Sequence, residues 1–188
     1  MTIDPIELIA AVVTAVSIWL ATRENVWYYP TGIVSVLLYG WIFFGAKLYA
    51  ETGLQVVWFA LMIYGWHQWL RGGDGRTELV VSRTPRRGWV TIVVAGVVAT
   101  VVVVMLQKRY TDNPAPLVDS TIAAWSIVAQ WMTARKWIES WIFWLAVNTL
   151  AVPLYITREL WFTAVLYAAL WVLAIVGYRS WRTSLVSA

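Results

Sequence analysis

The chain has 188 residues, 61% of them hydrophobic and 13% charged, with a mean hydropathy of +0.67 and a net charge of +4. This composition excludes an ordinary soluble domain and describes an integral membrane protein. The positive balance does not call for nucleic acid, because the arginines stand at the ends of apolar windows, where anionic lipid headgroups suffice.

Seven windows almost free of charge follow one another: 6–22, 26–46, 52–70, 88–107, 114–134, 140–157 and 160–178. Each is long enough to cross about 30 Å of hydrocarbon at about 1.5 Å per residue. The sequence thus predicts an all-α membrane protein with seven transmembrane helices. Asp4 and Glu7 shorten the first apolar run. That run lacks a positive leader and a small-residue cleavage site, so no removed signal peptide is expected.

The second window opens on an aromatic interface belt, Trp27, Tyr28 and Tyr29, with Pro30 near the first turn, where a missing N–H does least harm. Tyr28, Gly32, Ser35 and Tyr39 then share a helical face, which reads as helix packing, with Tyr39 able to offer its hydroxyl to a solute. In the third window Gln55, Trp58 and Met62 share a face, and Trp66 and Trp69 fit a belt at the membrane edge. His67, the only histidine, stands at that edge without companions for a metal site, and the chain has no cysteine. Residues 72–87 are polar, glycine-rich and basic, and read as a hinge between halves. The fourth window, WVTIVVAGVVATVVVVML, offers a solute nothing but bulk and reads as a connector.

A turn at Asn113, Pro114, Ala115 and Pro116 precedes the fifth window. There Asp119, Ser126, Gln130 and Thr133 form a polar stripe at i, i+7, i+11 and i+14. Asp119 also suits a helix N-terminus, where the dipole favours a carboxylate. In the next segment Trp137, Trp141, Trp144 and Asn148 fall at i, i+4, i+7 and i+11, so three indoles and a carboxamide share one face. Two such stripes facing each other across a short loop form a candidate solute pocket; taken alone, indoles also pack and amides also bond neighbouring helices. Trp161, Tyr167 and Trp171 make the seventh window aromatic without a clear polar face.

Counting Lys and Arg, one side of the membrane holds ten (Arg23, Arg71, Arg76, Arg83, Arg86, Arg87, Arg135, Lys136, Arg179, Arg182) and the other four (Lys47, Lys108, Arg109, Arg158). The positive-inside rule then places the N-terminus outside and the C-terminus in the cytoplasm. Trp181 falls at the inner interface, where its loss is expected to be nearly silent. With the fourth helix inserted, helices five to seven start on the same side as helices one to three, giving two parallel three-helix bundles joined by a linker helix. The expected units are residues 3–70, 71–113 and 114–182. Faint self-similarity agrees: YGWHQWLR aligns with GYRSWR, matching Gly65 to Gly177 and Trp69 to Trp181, while Trp27 and Trp141 follow Glu24 and Glu139.

The words WYYPTGIVSVLLYG, KLYAETGLQVVWFALMIYGWHQW, DSTIAAWSIVAQWMTARKWIESWIFWLAVNTLAVPLY and GYRSW together closely resemble the PnuC family of bacterial nicotinamide riboside transporters. The resemblance spans nearly the whole chain apart from the central loop and fourth helix. It implies a plan of three helices, a linker and three helices related to the SWEET sugar transporters. It further implies a homotrimer in the bacterial inner membrane, and uptake by facilitated diffusion completed by a cytoplasmic kinase. On the motif WIFWLAVN it carries over Trp144, Asn148 and Gln130 as substrate residues. Trp141, Tyr39, Trp58 and Ser126 complete the expected set. The family also includes carriers of thiamine and riboflavin.

The chemistry fits independently. A pyridinium, a carboxamide and a ribose ask for an aromatic face, a donor and acceptor pair, and hydroxyl partners, which Trp, Asn and Gln supply. No Asp, Glu or Lys lies near the middle of any window, whereas ion-coupled carriers usually need one there or a broken helix, so uniport is the simplest expectation. No cofactor is expected. A membrane enzyme is disfavoured, since no nucleophile stands with a base at plausible spacing. A solute-capture subunit would need an ATPase from another chain, because no P-loop occurs.

Overall fold

The computed structural model describes residues 5–47, 49–111 and 115–187. Its regular elements are α1 (Pro5–Thr22), α2 (Tyr28–Gly45), α3 (Tyr49–Arg71), a single 3-10 turn (Asp74–Arg76), α4 (Arg86–Tyr110), α5 (Pro116–Ala134), α6 (Ser140–Thr157) and α7 (Trp161–Ser187). By length and composition α1, α4, α6 and residues 161–185 of α7 can each cross a membrane. The other three, α2, α3 and α5, each send hydroxyls or amides inward: Ser35, Gln55, Ser126 and Gln130. Outward-facing positions are apolar, as in the α4 run Val93, Val94, Val97, Val98, Val101 and Val102, all exposed. Such a surface suits lipid rather than water.

Short connections return the chain so that sequence neighbours pack: α1 on α2, α2 on α3, α5 on α6 and α6 on α7. Cross-contacts join α1 to α7 and α3 to α5, while α4 lies chiefly on α5. There the Trp125 ring occupies the space a Cβ on Gly96 would need.

The same devices recur at positions 112 residues apart. Trp69 Nε1 donates to the Thr133 carbonyl and Trp181 Nε1 to the Ala21 carbonyl, both at 3.0 Å. A Cβ on Gly65 would strike the Tyr29 ring, and one on Gly177 the Trp141 ring, so bare glycine lets each aromatic seat against the opposing helix. The turns after α1 and α5 place Glu24 (φ 56°) and Lys136 (φ 50°) in the left-handed region. Those after α2 and α6 do the same with Lys47 (φ 60°) and Glu159 (φ 58°). This conformation is unusual for side-chain-bearing residues and closes a helix C-terminus sharply.

Several expectations are corrected. Trp69 and Trp181 are not an interface belt: they are 2% and 0% exposed and meet edge-to-face at 5.8 Å, with Trp141 a further 5.4 Å from Trp181. An indole whose N–H finds a buried carbonyl is better placed in the core than at the headgroups. Trp137 is not on α6, which starts at Ser140; it sits in the preceding turn, edge-on to Trp131 at 5.1 Å. The constant separation matches Trp27 with Glu139, the two residues preceding α2 and α6, rather than with Trp141, whose counterpart is Tyr29. The central loop is not a free hinge. Ser82 exchanges backbone hydrogen bonds with Lys136 and Ile138, and the Thr84 N–H and hydroxyl both donate to Glu139 Oε2 at 2.8 Å. Val81 is buried beneath this strap. Asn113 and Pro114 of the expected turn, and Asp4, lie outside the described residues.

Candidate solute-binding cavity

Six helices, all but α4, enclose a cavity of about 480 Å³, within the range of small-molecule sites. Gln130, Ser126, Trp141, Trp144, Asn148, Tyr39 and Trp58 all stand on its wall.

α5 and α6 supply one side. The Thr133 hydroxyl donates to the Ala129 carbonyl one turn back (2.9 Å) and accepts the Trp144 Nε1 proton (3.1 Å), which fixes the indole plane against the cavity. Gln130 is 1% exposed; its Oε1 accepts from the Tyr28 hydroxyl at 2.8 Å, and among the described residues its Nε2 faces only the weak acceptor Met62 Sδ at 3.8 Å. Asn148, one turn beyond Trp144, is 2% exposed, and its Oδ1 has no hydrogen-bond partner among the described residues. A buried carbonyl left without a donor costs about 1–3 kcal/mol. A solute N–H or O–H placed there would recover it. Ser126 spends its proton on the Ile122 carbonyl (2.7 Å), leaving lone pairs to offer.

α1, α2, α3 and α7 complete the wall. The face Tyr28, Gly32, Ser35 and Tyr39 lines the cavity as well as packing. Gly32 makes room for Met62 and Ser17, and Ser35 Oγ lies 2.5 Å from Thr14 Oγ1. Tyr39 stacks on Phe43 at 5.7 Å, and Tyr155 lies 4.9 Å from Tyr167. Thus α7 is more than packing: Thr163, Leu166, Tyr167, Leu170 and Ala174 form a helical stripe along the cavity. That stripe is mostly apolar, so no polar periodicity marks it. Asp119 departs from the stripe to which its spacing assigned it. It accepts from Gln107 Nε2 of α4 at 2.6 Å and does not line the cavity. Glu7 does line it, and among the described wall residues it is the only one with a formal charge. His67 is exposed on α3 and away from the wall, and the described residues hold no cluster of metal ligands.

At the cytoplasmic end predicted from charge, Lys136 Nζ lies 3.7 Å from Glu24 and 4.6 Å from the centre of the Trp69 ring. Burial holds the Lys136 ammonium below its usual range, while Glu24 and Glu78 act in the opposite direction.

The family described as nicotinamide mononucleotide transporter matches residues 4–183. The nicotinamide riboside transporter PnuC of Escherichia coli (strain K12) is 28% identical over 95% of this chain and 85% of its own length. The riboflavin/roseoflavin transporter RibM of Streptomyces davaonensis is 30% identical over 93% of this chain and 83% of its own. A crystal structure of the vitamin B3 transporter PnuC superposes with a TM-score of 0.70 at 26% identity, covering 95% of this chain and 82% of that one. With its helices, its cavity and almost its whole length accounted for in this way, the chain belongs to the PnuC family of membrane transporters.

Proposed function

We propose that this protein carries nicotinamide riboside across the bacterial inner membrane. The observation that carries the reading is the juxtaposition of Trp144, Asn148 and Gln130: an indole locked by Thr133, an unpartnered buried carbonyl oxygen, and an amide with a spare donor, all on one cavity. The pyridinium stacks on the Trp144 indole, a cation–π contact of about 0.5–2 kcal/mol. The solute carboxamide donates to Asn148 Oδ1 and accepts from Gln130 Nε2. Trp141, Tyr39, Trp58 and Ser126 shape the remaining wall and meet the ribose. Titrating purified protein with nicotinamide riboside, thiamine and riboflavin tests this. Saturable binding of the riboside alone supports it, and binding of riboflavin in its place overturns it.

Riboflavin is the second reading, favoured by the 30% identity to RibM. The flavin ring is uncharged and larger, so it makes no use of a cation site.

The architecture we propose is seven membrane spans in two parallel bundles, residues 3–70 and 114–182, joined by residues 71–113. The recurring Trp–carbonyl and Gly–aromatic contacts at a separation of 112 residues support it, as does the placement of α4 chiefly on α5. Glu24 and Lys136 are equivalent positions that touch each other, which puts their ion pair on the axis relating the bundles. The ten-to-four distribution of Lys and Arg supports an outer N-terminus and a cytoplasmic C-terminus. The protein works as a uniporter and assembles as a homotrimer, and a cytoplasmic kinase traps the riboside. An inside-negative potential aids entry of the cation by about 2.3 kcal/mol per 100 mV. Uptake into liposomes that strictly required a proton or sodium gradient at fixed potential would rule out uniport.

A further inference from the structure

We infer that Glu7 is a specificity-determining residue: its carboxylate, at the outer end of the cavity, selects a positively charged solute. The inference rests on the proposed riboside transport and on the outer placement of the α1 N-terminus. Glu7 belongs to the first turn of α1, at the opposite end of that helix from the Glu24–Lys136 pair, and it lines the cavity. The remaining described wall residues are aromatic, aliphatic or neutral polar, so no cation on the wall competes with the solute for this carboxylate. No ion pair to Glu7 occurs among the described residues.

The opposite half explains why this acid faces the cavity. Asp119 stands 112 residues after Glu7, at the equivalent point in the first turn of α5. There the Gln107 amide of α4 engages the carboxylate. Among the described residues α1 packs on α2 and α7, with no helix set against it as α4 is against α5. Asp119 is thus held by the linker helix behind the wall, within electrostatic reach of the wall residues Tyr155 and Tyr167, whereas Glu7 stands on the wall itself. A negative charge standing on the wall at the mouth of a low-dielectric cavity focuses its field along the cavity and raises the local concentration of a cation. A neutral solute of the same shape gains nothing from it.

The test compares nicotinamide riboside with its uncharged analogue, in which the pyridinium is reduced to a dihydropyridine. Both are measured as initial uptake into liposomes containing the full-length protein. Glu7→Gln should slow uptake of the cation about tenfold at low salt, the lower range of electrostatic steering, and leave the neutral analogue within about twofold. Glu7→Asp should restore most of the rate, and raising the ionic strength should slow the parent toward the Glu7→Gln variant. An equal loss for both solutes, or none for either, overturns the role of Glu7 while leaving riboside transport standing. A parent protein that carries neither form overturns the transport reading, and the role of Glu7 with it.

Discussion

The first three helices, α1–α3, and the last three, α5–α7, are alike in the contacts that pack them and unlike along the cavity. At one end the halves use the same parts: Trp69 and Trp181 bond carbonyls of the opposite half, and Gly65 and Gly177 admit Tyr29 and Trp141. Along the cavity, 112 residues separate Ile18 from Gln130, Ala21 from Thr133, Gly32 from Trp144 and Val36 from Asn148, and all eight line the wall. In each of these four pairs the first half contributes the smaller or apolar member, whereas at Trp58 and Leu170 and at Met62 and Ala174, also 112 residues apart on the wall, it contributes the larger. Repeated packing makes a frame, while the proposed recognition depends on how its two sides differ. At these four positions a small or apolar residue set against an indole, a hydroxyl and two amides leaves room for a flat solute, while Ser35, Tyr39 and Gln55 keep polar groups on the first half's wall.

The largest effect should come from breaking the shared frame. Trp181→Ala and Trp69→Ala each remove a fully packed indole and the hydrogen bond it donates across the halves, while the Ala21 and Thr133 carbonyls keep their turn bonds from Glu24 and Lys136; each should cost about 3–5 kcal/mol of stability. Thermal unfolding in detergent should show similar losses for the two. A similar loss for Trp171→Ala, whose ring is 39% exposed, would argue against the core placement of Trp181.

Making the second half resemble the first should abolish recognition and spare the frame. Asn148→Val and Trp144→Ala should each weaken nicotinamide riboside binding by about 1–3 kcal/mol while the unfolding temperature stays near the parent's. Parent-like binding by the folded variants would mean that these residues serve packing alone.

A smaller effect is expected at Tyr28, which steadies Gln130 from across the cavity. Tyr28→Phe keeps the ring and removes one hydrogen bond, so affinity should fall by about 0.5–1.5 kcal/mol. Because Gln130 is the acceptor in that bond, Gln130→Ile should be insensitive to further change at Tyr28; independent, additive losses would show that the pair does not act together.

The smallest net effect concerns the Glu24–Lys136 pair, whose side chains are largely buried, so that desolvation offsets most of their attraction. Burial lowers the Lys136 pKa, so its charge costs stability at neutral pH, and that cost fades as pH rises from the folded value toward the ordinary lysine range. Glu24→Gln removes an opposing influence, so stability at neutral pH should drop slightly and the recovery should begin at lower pH. A pH profile identical to the parent's would exclude the pair as the source. Exchanging the two charges, Glu24→Lys with Lys136→Glu, should be tolerated better than either single change.

Composition and periodicity by themselves determined that this is a helical membrane protein, where its helices run, and that Gln130, Trp144 and Asn148 share inward faces of neighbouring helices, because hydropathy and a period of 3.6 residues are local properties. Local spacing also paired Gly65 with Gly177 and Trp69 with Trp181. It could not tell a tryptophan at a membrane edge from one buried under a neighbouring helix, since both stand near helix ends, and only packing gives Trp181 the Ala21 carbonyl as its partner. Nor could it show that the turn before α6 carries Trp137 away from the α6 face, or that the central loop straps onto Glu139. The opposite fates of Glu7 and Asp119 were likewise decided by tertiary structure alone. Of two acids at equivalent helix starts, Asp119 meets Gln107 because α4 packs against α5, a contact between residues on different helices that no helical period encodes.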